Sequence, residues 1–405
     1  MKLRKDILFA NFCTLQLLTV LFHMSTKVIS ALVCILFFVK WSPAQIKNRF
    51  YKWNEFVMGA DLSYVNEIED AGGIYKVNGV QKDPFEIMKS IGVNTVRVRL
   101  WHTPSWKQKL NNGKMYSNLQ DVEKTIRRAK AKGMAVNLDL HYSDTWADPD
   151  HQPTPAAWAS LSFETLKDSV YQYTLNVLKY YKSRNLVPEM IQIGNENNNG
   201  MLWPLGKTDS EEGWMRFAAL LNSGIRAVKD FSKTSAIKPQ IIIHVAQMQD
   251  AGNWLQHLTA KGVSDYNIIG LSHYYKWSAY STLEQVGRKI DSLQTMYQKK
   301  VMIVETAFPF TKNNADGYHN ILGMETTVEN KYDATEKGQQ QYLYDLIKQL
   351  MKHKGTGIMY WEPAWVSSPM KDQWGSGSAW ENAAWFDFNG NLLTGINFFK
   401  KSFEQ

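Results

Sequence analysis

Glu196 and Glu305 are the residues of this chain best placed to do chemistry. Glu196 lies near the end of the run MIQIGNEN (Met190 to Asn197), and Glu305 near the end of VMIVET (Val301 to Thr306). Each carboxylate stands where a short apolar run stops, the point at which a buried parallel strand surfaces. Two carboxylates delivered to one pocket are the equipment for cleaving a glycosidic bond. One protonates the leaving oxygen; the other attacks the sugar carbon or activates water.

The neighbouring residues suit those roles. Apolar walls and a second carboxylate raise the pKa of a glutamate toward neutrality, which makes Glu196 the candidate general acid. Asn195, just before it, is placed to hydrogen-bond the hydroxyl beside the reacting carbon. Glu305 is the candidate nucleophile. It must stay ionised, so it needs cations or donors nearby. The run VRVRLW supplies them. Arg97 and Arg99 alternate with Val96, Val98 and Leu100, so both point to one face. Buried arginines are tolerated only when paired with carboxylates, so Arg97 or Arg99 is expected beside Glu305.

Other strand ends carry the supporting set. LDLHYSDTWADP offers His141 as a buried neutral hydrogen-bonder and Trp146 as a sugar-stacking platform. In the same run Asp144 and Asp148 suit sugar hydroxyls or pairing with the arginines. SHYYKW offers His273 and a tyrosine hydroxyl to donate to Glu305. YWEPAW offers Trp361 as the floor under the reacting sugar, with Trp365 beside it. Glu362 ranks below the other two glutamates, because Trp361 takes the strand-end position. Asp61, at the end of the first apolar run, joins this set.

These residues need a scaffold that brings eight strand ends together. Apolar runs predict strands at Phe56–Leu62, Thr95–Trp101, Met134–His141, Met190–Gly194, Gln240–Val245, Ile268–His273, Val301–Glu305 and Gly357–Trp361. Amphipathic patterns predict helices at Pro84–Ile91, Leu119–Lys132, Leu161–Arg184, Glu211–Phe231, Asn253–Lys261, Thr282–Lys299 and Thr335–His353. Gly92, Gly133 and Gly262 follow helical stretches, as C-terminal caps do. The alternation predicts an α/β chain forming a (β/α)₈ barrel of one domain. A doubly wound sheet is disfavoured, because the first strand ends in Gly59-Ala60-Asp61-Leu62 rather than a Gly-rich phosphate turn. Long insertions follow strands three (Tyr142–Leu161), seven (Ala307–Asp333) and eight (Glu362–Asn391). All lie at the face where barrel active sites are built.

The first 44 residues read as an export leader. Ile7 to Phe22 is largely apolar and uncharged, and Val28 to Val39 is a second apolar run before Trp41-Ser42-Pro43-Ala44. A basic start, a short apolar run and small residues before the cut describe a secretory signal. Met24 opens that signal, so the true start is expected there and the cut after Ala44. That leaves a catalytic barrel at 45–405. Each run falls short of the ~20 apolar residues of a membrane span. An exported protein in the periplasm, at the cell surface or outside the cell is expected. The two cysteines, Cys13 and Cys34, both lie in the leader. The barrel therefore holds no disulfide and relies on its size. The net charge of +8 is about half leader. No basic stripe or nucleic-acid motif accompanies it, so a polynucleotide partner is not expected. A monomer is. Of 15 Trp, only Trp41 precedes the cut. That aromatic content suits sugar stacking as well as a core.

The runs Gly59-Ala60-Asp61-Leu62-Ser63, VRVRLW, LDLHYSDTWADP, IGNEN, IVETAFPF, YWEPAW and Trp380-Glu381-Asn382 together resemble glycoside hydrolase family 53. The resemblance runs from about Trp53 to Phe398. It implies a secreted endo-β-1,4-galactanase of the barrel clan with its acid/base after strand four and its nucleophile after strand seven. Glu196 and Glu305 take those places. It also implies retention of anomeric configuration, which requires the carboxyl groups ~5–5.5 Å apart, and the β-1,4-galactan side chains of pectin as substrate. Many members carry Tyr-Tyr-Pro where this chain has His273-Tyr274-Tyr275; Tyr274 is taken as the tyrosine at the nucleophile. Some bacterial members bind calcium after strand seven. The matching positions here are Asn314, Asp316 and Asn320, with a single carboxylate among them. The chemistry itself calls for no cofactor. Two other readings remain: another barrel endo-β-glycanase of mannanase or cellulase type, and a non-catalytic glycan-binding barrel.

Overall fold

The computed structural model describes residues 49–322 and 331–403. The leader expected at 1–44 and part of the loop after strand seven lie outside the described residues. Among those residues no helix is long and apolar enough to cross a membrane.

Eight parallel strands close into a barrel in sequence order. They are β1 (Val57–Asp61), β2 (Thr95–Leu100), β3 (Ala135–Leu140), β4 (Met190–Ile193), β5 (Gln240–Ala246), β6 (Ile268–Ser272), β7 (Lys300–Glu305) and β8 (Gly357–Tyr360). β8 pairs back to β1 through Met58↔Ile358 and Gly59↔Met359. Every predicted strand is present.

The expected helices are present within one to two residues at each end: α2 (Pro84–Ser90), α4 (Leu119–Ala131), α5 (Phe163–Lys182), α6 (Glu211–Ser232), α7 (Ala251–Ala260), α8 (Leu283–Tyr297) and α9 (Glu336–Lys352). Two short ones went unread: α1 (Val65–Asp70) and α3 (Ser105–Leu110). Six residues are too few to display a 3.6-residue period. Local chemistry sets the starts. Asp83 accepts from the Phe85 and Glu86 amides ahead of Pro84, and Thr282 with Gln285 forms a reciprocal cap on α8. Gly92, Gly133 and Gly262 all have positive φ, as helix-ending residues do.

Strand alternation sorts the side chains. Val96, Val98, Leu100, Leu138, Ile191, Ile243 and Leu271 face the helices in the large outer core. Val57, Met190, Ile242, Ile268, Met302, Val304 and Met359 fill the lumen. Above that apolar plug the inward positions turn polar: Asp61, Arg97, Arg99, Asp139, Gln192, His244 and Ser272, all buried. The plug forms a dry floor, and the polar layer opens to the C-terminal face.

Glu305 does not follow from alternation. Met302 and Val304 face the lumen and Val301 and Ile303 face the helices, so position 305 would point outward in an unbroken strand. The β6–β7 register shifts there: Leu271 pairs with Ile303, but Ser272 pairs with Glu305. The extra residue turns the carboxylate inward, a common use of a bulge beside a functional site.

Candidate active site

A cleft of about 600 Å³ opens at the C-terminal face of the barrel. Glu196 and Glu305 both line it, with Asp61, Arg97, Arg99, His141, Trp146, Asp148, Asn195, Tyr274, Trp361 and Trp365. One carboxylate oxygen of Glu196, one of Glu305 and a ring nitrogen of His244 lie within 4.8 Å of one another. Two glutamates 109 positions apart therefore meet across a single gap.

β4 ends at Ile193 and the chain turns sharply. Gly194 has φ of 76°, where a Cβ would sit 2.5 Å from the Asn197 amide group. Glu196 itself has φ of 46°, left-handed backbone that a non-glycine residue holds at a cost of roughly 1–3 kcal/mol. The turn swings its half-buried side chain over the cleft. Burial and the Glu305 charge push the Glu196 carboxyl well above the usual carboxylate range; the Ser272 hydroxyl, 2.5 Å from Oε1, pulls the other way.

Glu305 sits lower and is buried. Arg97 lies 2.7 Å from its Oε1, and Tyr274 donates its hydroxyl to Oε2 at 3.1 Å. Burial pushes Glu305 up to about 7, with Arg97 pulling it down and Asp139 and Asp61 pushing it up. Glu305 faces a guanidinium and a phenol hydroxyl, both of which favour its charged form, whereas Glu196 faces a serine hydroxyl and the Glu305 charge. The pair therefore keeps a shared proton on Glu196 and leaves the charge on Glu305.

The two arginines divide the labour. Arg97 bridges Asp61 at 2.7 Å, Asp139 at 2.8 Å and Glu305, and donates to Asn195 Oδ1 at 2.8 Å. Arg99 pairs with Glu362 at 3.0 Å and lies over the rings of Tyr64 and Trp146. Glu362 is thus a structural partner of Arg99. Asn195 holds the frame as well as lining the cleft, donating to the Ala147 carbonyl at 2.8 Å. His141 lies between Asp139, 3.0 Å from Nε2, and the Trp101 indole, which donates to Nδ1 at 3.2 Å.

Two expectations need correction, and for Asp148 one of two alternatives falls away. Asp144 reaches neither the arginines nor the cleft. Its carboxylate accepts from the Thr103 and Ala156 amides and faces His102 at 3.5 Å. The chain leaves β3 through Tyr142, at φ of 49°, and Asp144 then ties loops together. Asp148 does line the cleft, but its partners are the Asp150 and His151 amides, not an arginine. His273 is buried and does not line the cleft, because it follows the inward-facing Ser272 and so points the other way.

The donor set Asn314, Asp316 and Asn320 engages protein partners within its loops. Asp316 accepts from Ser367 Oγ, the Ser378 amide and the Tyr318 amide. Asn320 turns its amide nitrogen to Asn314 Oδ1 at 2.6 Å. That nitrogen also reaches Glu381 Oε1 at 3.0 Å, while Asn320 Oδ1 and Glu381 Oε2 are buried without a partner; two amides and one carboxylate are still few beside the six to eight oxygens that Ca²⁺ takes. Among the described residues, the His and carboxylate ligand atoms that do converge are those of Glu196, His244 and Glu305.

Several cleft residues were missed. Trp277, Trp374 and Trp380 line the walls. Asp139, Gln192, His244 and Ser272 form the polar layer beneath. A signal for His244 and Gln192 was available: each is a polar residue at an inward position of an otherwise apolar strand, as Arg97 is.

The sequence pattern of glycosyl hydrolase family 53 matches residues 57–399. The chain is 43% identical over 353 residues to an arabinogalactan endo-beta-1,4-galactanase of Cellvibrio japonicus, covering 86% of this chain and 92% of that one. It is 32% identical over 385 residues to an endo-beta-1,4-galactanase of Bacillus subtilis, covering 85% and 86%. Among solved structures, the GH53 catalytic domain of Ignisphaera aggregans superposes with a TM-score of 0.77 at 36% identity, covering 88% of this chain and 98% of that domain.

Proposed function

The chain belongs to glycosyl hydrolase family 53, and from that premise we propose that it is a retaining endo-β-1,4-galactanase acting on pectic galactan. The observation that carries the reading is the approach of Glu196 and Glu305 to within 4.8 Å. That gap suits direct attack by a carboxylate; an inverting pair stands ~6.5–9.5 Å apart to admit water.

In the first step Glu196 gives its proton to the glycosidic oxygen while Glu305 attacks the anomeric carbon. Arg97 and Tyr274 hold Glu305 in line. In the second step Glu196, now a carboxylate, takes a proton from water, which displaces Glu305. Trp361 and Trp146, whose ring centroids lie 6.2 Å apart, offer apolar faces to the sugar at the reacting centre. No step calls on a cofactor atom. The leader-like pattern of residues 1–44 supports an exported enzyme, and action as a monomer is compatible with both catalytic carboxylates coming from one chain.

The test is reducing-end release from linear β-1,4-galactan, mannan, xylan and cellulose, with a Glu305→Ala variant as control. Release from galactan that disappears in the variant is expected. Activity on mannan or cellulose but not galactan would transfer the assignment to another barrel glycanase. Galactan binding without cleavage over hours would make it a binding protein.

A further inference from the structure

Beneath Glu196 lies a chain of buried polar groups that the two-carboxylate reaction does not itself use. Ser272 ends β6 facing the lumen and His244 faces it from β5; both are fully buried. The Ser272 hydroxyl is 2.5 Å from Glu196 Oε1, and His244 Nε2 is 2.9 Å from Ser272 Oγ. The other ring nitrogen, Nδ1, faces two N–H donors: the Glu196 backbone at 3.2 Å and Gln192 Nε2 at 3.0 Å. Asn195 Oδ1, also 3.0 Å from Nδ1, is held in place by Arg97 and Gln192. A nitrogen that receives N–H donors carries no proton. Asn195 Oδ1 is already satisfied by Arg97 and Gln192, and the Glu196 backbone N–H can only donate, so Nδ1 is assigned as the acceptor and the ring proton to Nε2, pointing at Ser272 Oγ. Occupied on that side, the serine hydroxyl is left to donate toward Glu196.

We propose that Ser272 and His244 are positioning residues for Glu196, a fixed donor chain running from His244 Nε2 through the Ser272 hydroxyl to Oε1. Oε1 then serves as acceptor throughout the cycle, and Oε2 is the oxygen that gives and retrieves the proton. The backbone N–H of Glu196 closes the loop by fixing the tautomer of the histidine that orients it. Burial, with the Arg97 charge, holds His244 well below the usual histidine range, so it stays neutral and the chain keeps one direction. The other groups facing Glu196 are Glu305 and Asp148, which raise it, and Arg97, which lowers it; Tyr274 also lies within its field. A donor aimed at Oε1 favours the carboxylate form. Ser272 thereby keeps Glu196 able to act as base in the second step, against burial; the Glu305 charge is by then taken up in the bond to the sugar.

This inference rests on the reading of Glu196 as acid/base, and the experiment separates the two. The pH profile of kcat/KM on linear β-1,4-galactan is recorded for the full chain, Ser272→Ala, Ser272→Thr and Glu196→Ala. Losing a hydrogen bond to a charged group is expected to move the alkaline limb of Ser272→Ala upward by about one pH unit. Its kcat is expected to fall about tenfold with KM nearly unchanged, because substrate contacts are intact. Ser272→Thr, which keeps the hydroxyl, is expected to return the limb to its original position. An alkaline limb in Ser272→Ala that stays put, or moves down, overturns the donor chain. An active Glu196→Ala enzyme overturns the acid/base reading and the donor chain with it; an inactive one beside an unmoved Ser272→Ala limb overturns the chain alone. If the alanine variant fails to fold, Ser272→Cys gives the same test with a weaker donor: a smaller upward move supports the chain, and none overturns it.

Discussion

One guanidinium nitrogen of Arg97 lies 2.7 Å from Glu305 Oε1 and also 2.8 Å from Asp139 Oδ2, so nucleophile and frame share a single cation. Its other terminal nitrogen bonds Asp61. Three buried carboxylates depend on this one side chain. Arg97→Ala leaves them without their shared cation and is expected to destabilise the barrel by about 3–5 kcal/mol. Arg97→Lys keeps the charge but cannot fork to three partners, and is expected to fall between. Calorimetric melting of the two variants checks this; an alanine variant that melts with the wild type sinks it.

Removal of either glutamate is expected to stop turnover for different reasons. Glu305→Ala loses the attacking atom, with a fall of the order of 10³-fold or more. Glu196→Ala loses proton transfer, worth about 10²–10⁴-fold. Azide needs no base to displace Glu305 from the sugar. On an aryl galactoside with a good leaving group, azide is therefore expected to restore Glu196→Ala and to give a β-galactosyl azide. Product analysis by NMR reads the outcome; rescue of neither variant would contradict the assignment.

Tyr274 sets the acidic side of the profile. Its hydroxyl donates to Glu305 Oε2 and so lowers the pKa of a group that burial pushes up to about 7. Activity requires Glu305 ionised and is lost as pH falls through that pKa. Tyr274→Phe removes the donor and raises the pKa, so the acidic limb is expected to move up by roughly 0.5–1 pH unit. A limb moving down, or none moving, in kcat/KM against pH would refute the role.

Trp374 stands at the cleft rim with 60% of its surface exposed. Such a ring has nothing to gain from the core and suits a sugar ring of a long chain. Trp374→Ala is expected to raise KM for polymeric galactan by about two- to tenfold, the worth of one ring contact, with the melting temperature unchanged. Equal loss on a galactobiose-length substrate would mean that Trp374 acts at the reacting centre instead.

The sequence by itself determined the eight strands, the order of the two glutamates and the inward placement of Arg97 and Arg99. Those features follow from local pattern: apolar runs of strand length, period-two alternation, and carboxylates at run ends. The tertiary structure decided which arginine serves the nucleophile. Both face the lumen, and only the stagger between strands puts Arg97 beside Glu305 and Arg99 beside Glu362. The β6–β7 register shift decided that Glu305 faces inward, since alternation from Met302 and Val304 would send it to the helices. The tertiary structure also decided that Asp144 holds loops, because a left-handed turn at Tyr142 precedes it. His244 and Ser272 became neighbours of Glu196 only when β4, β5 and β6 lay side by side. Pairing between strands separated by whole helices leaves no trace in local periodicity, because it depends on how the barrel closes.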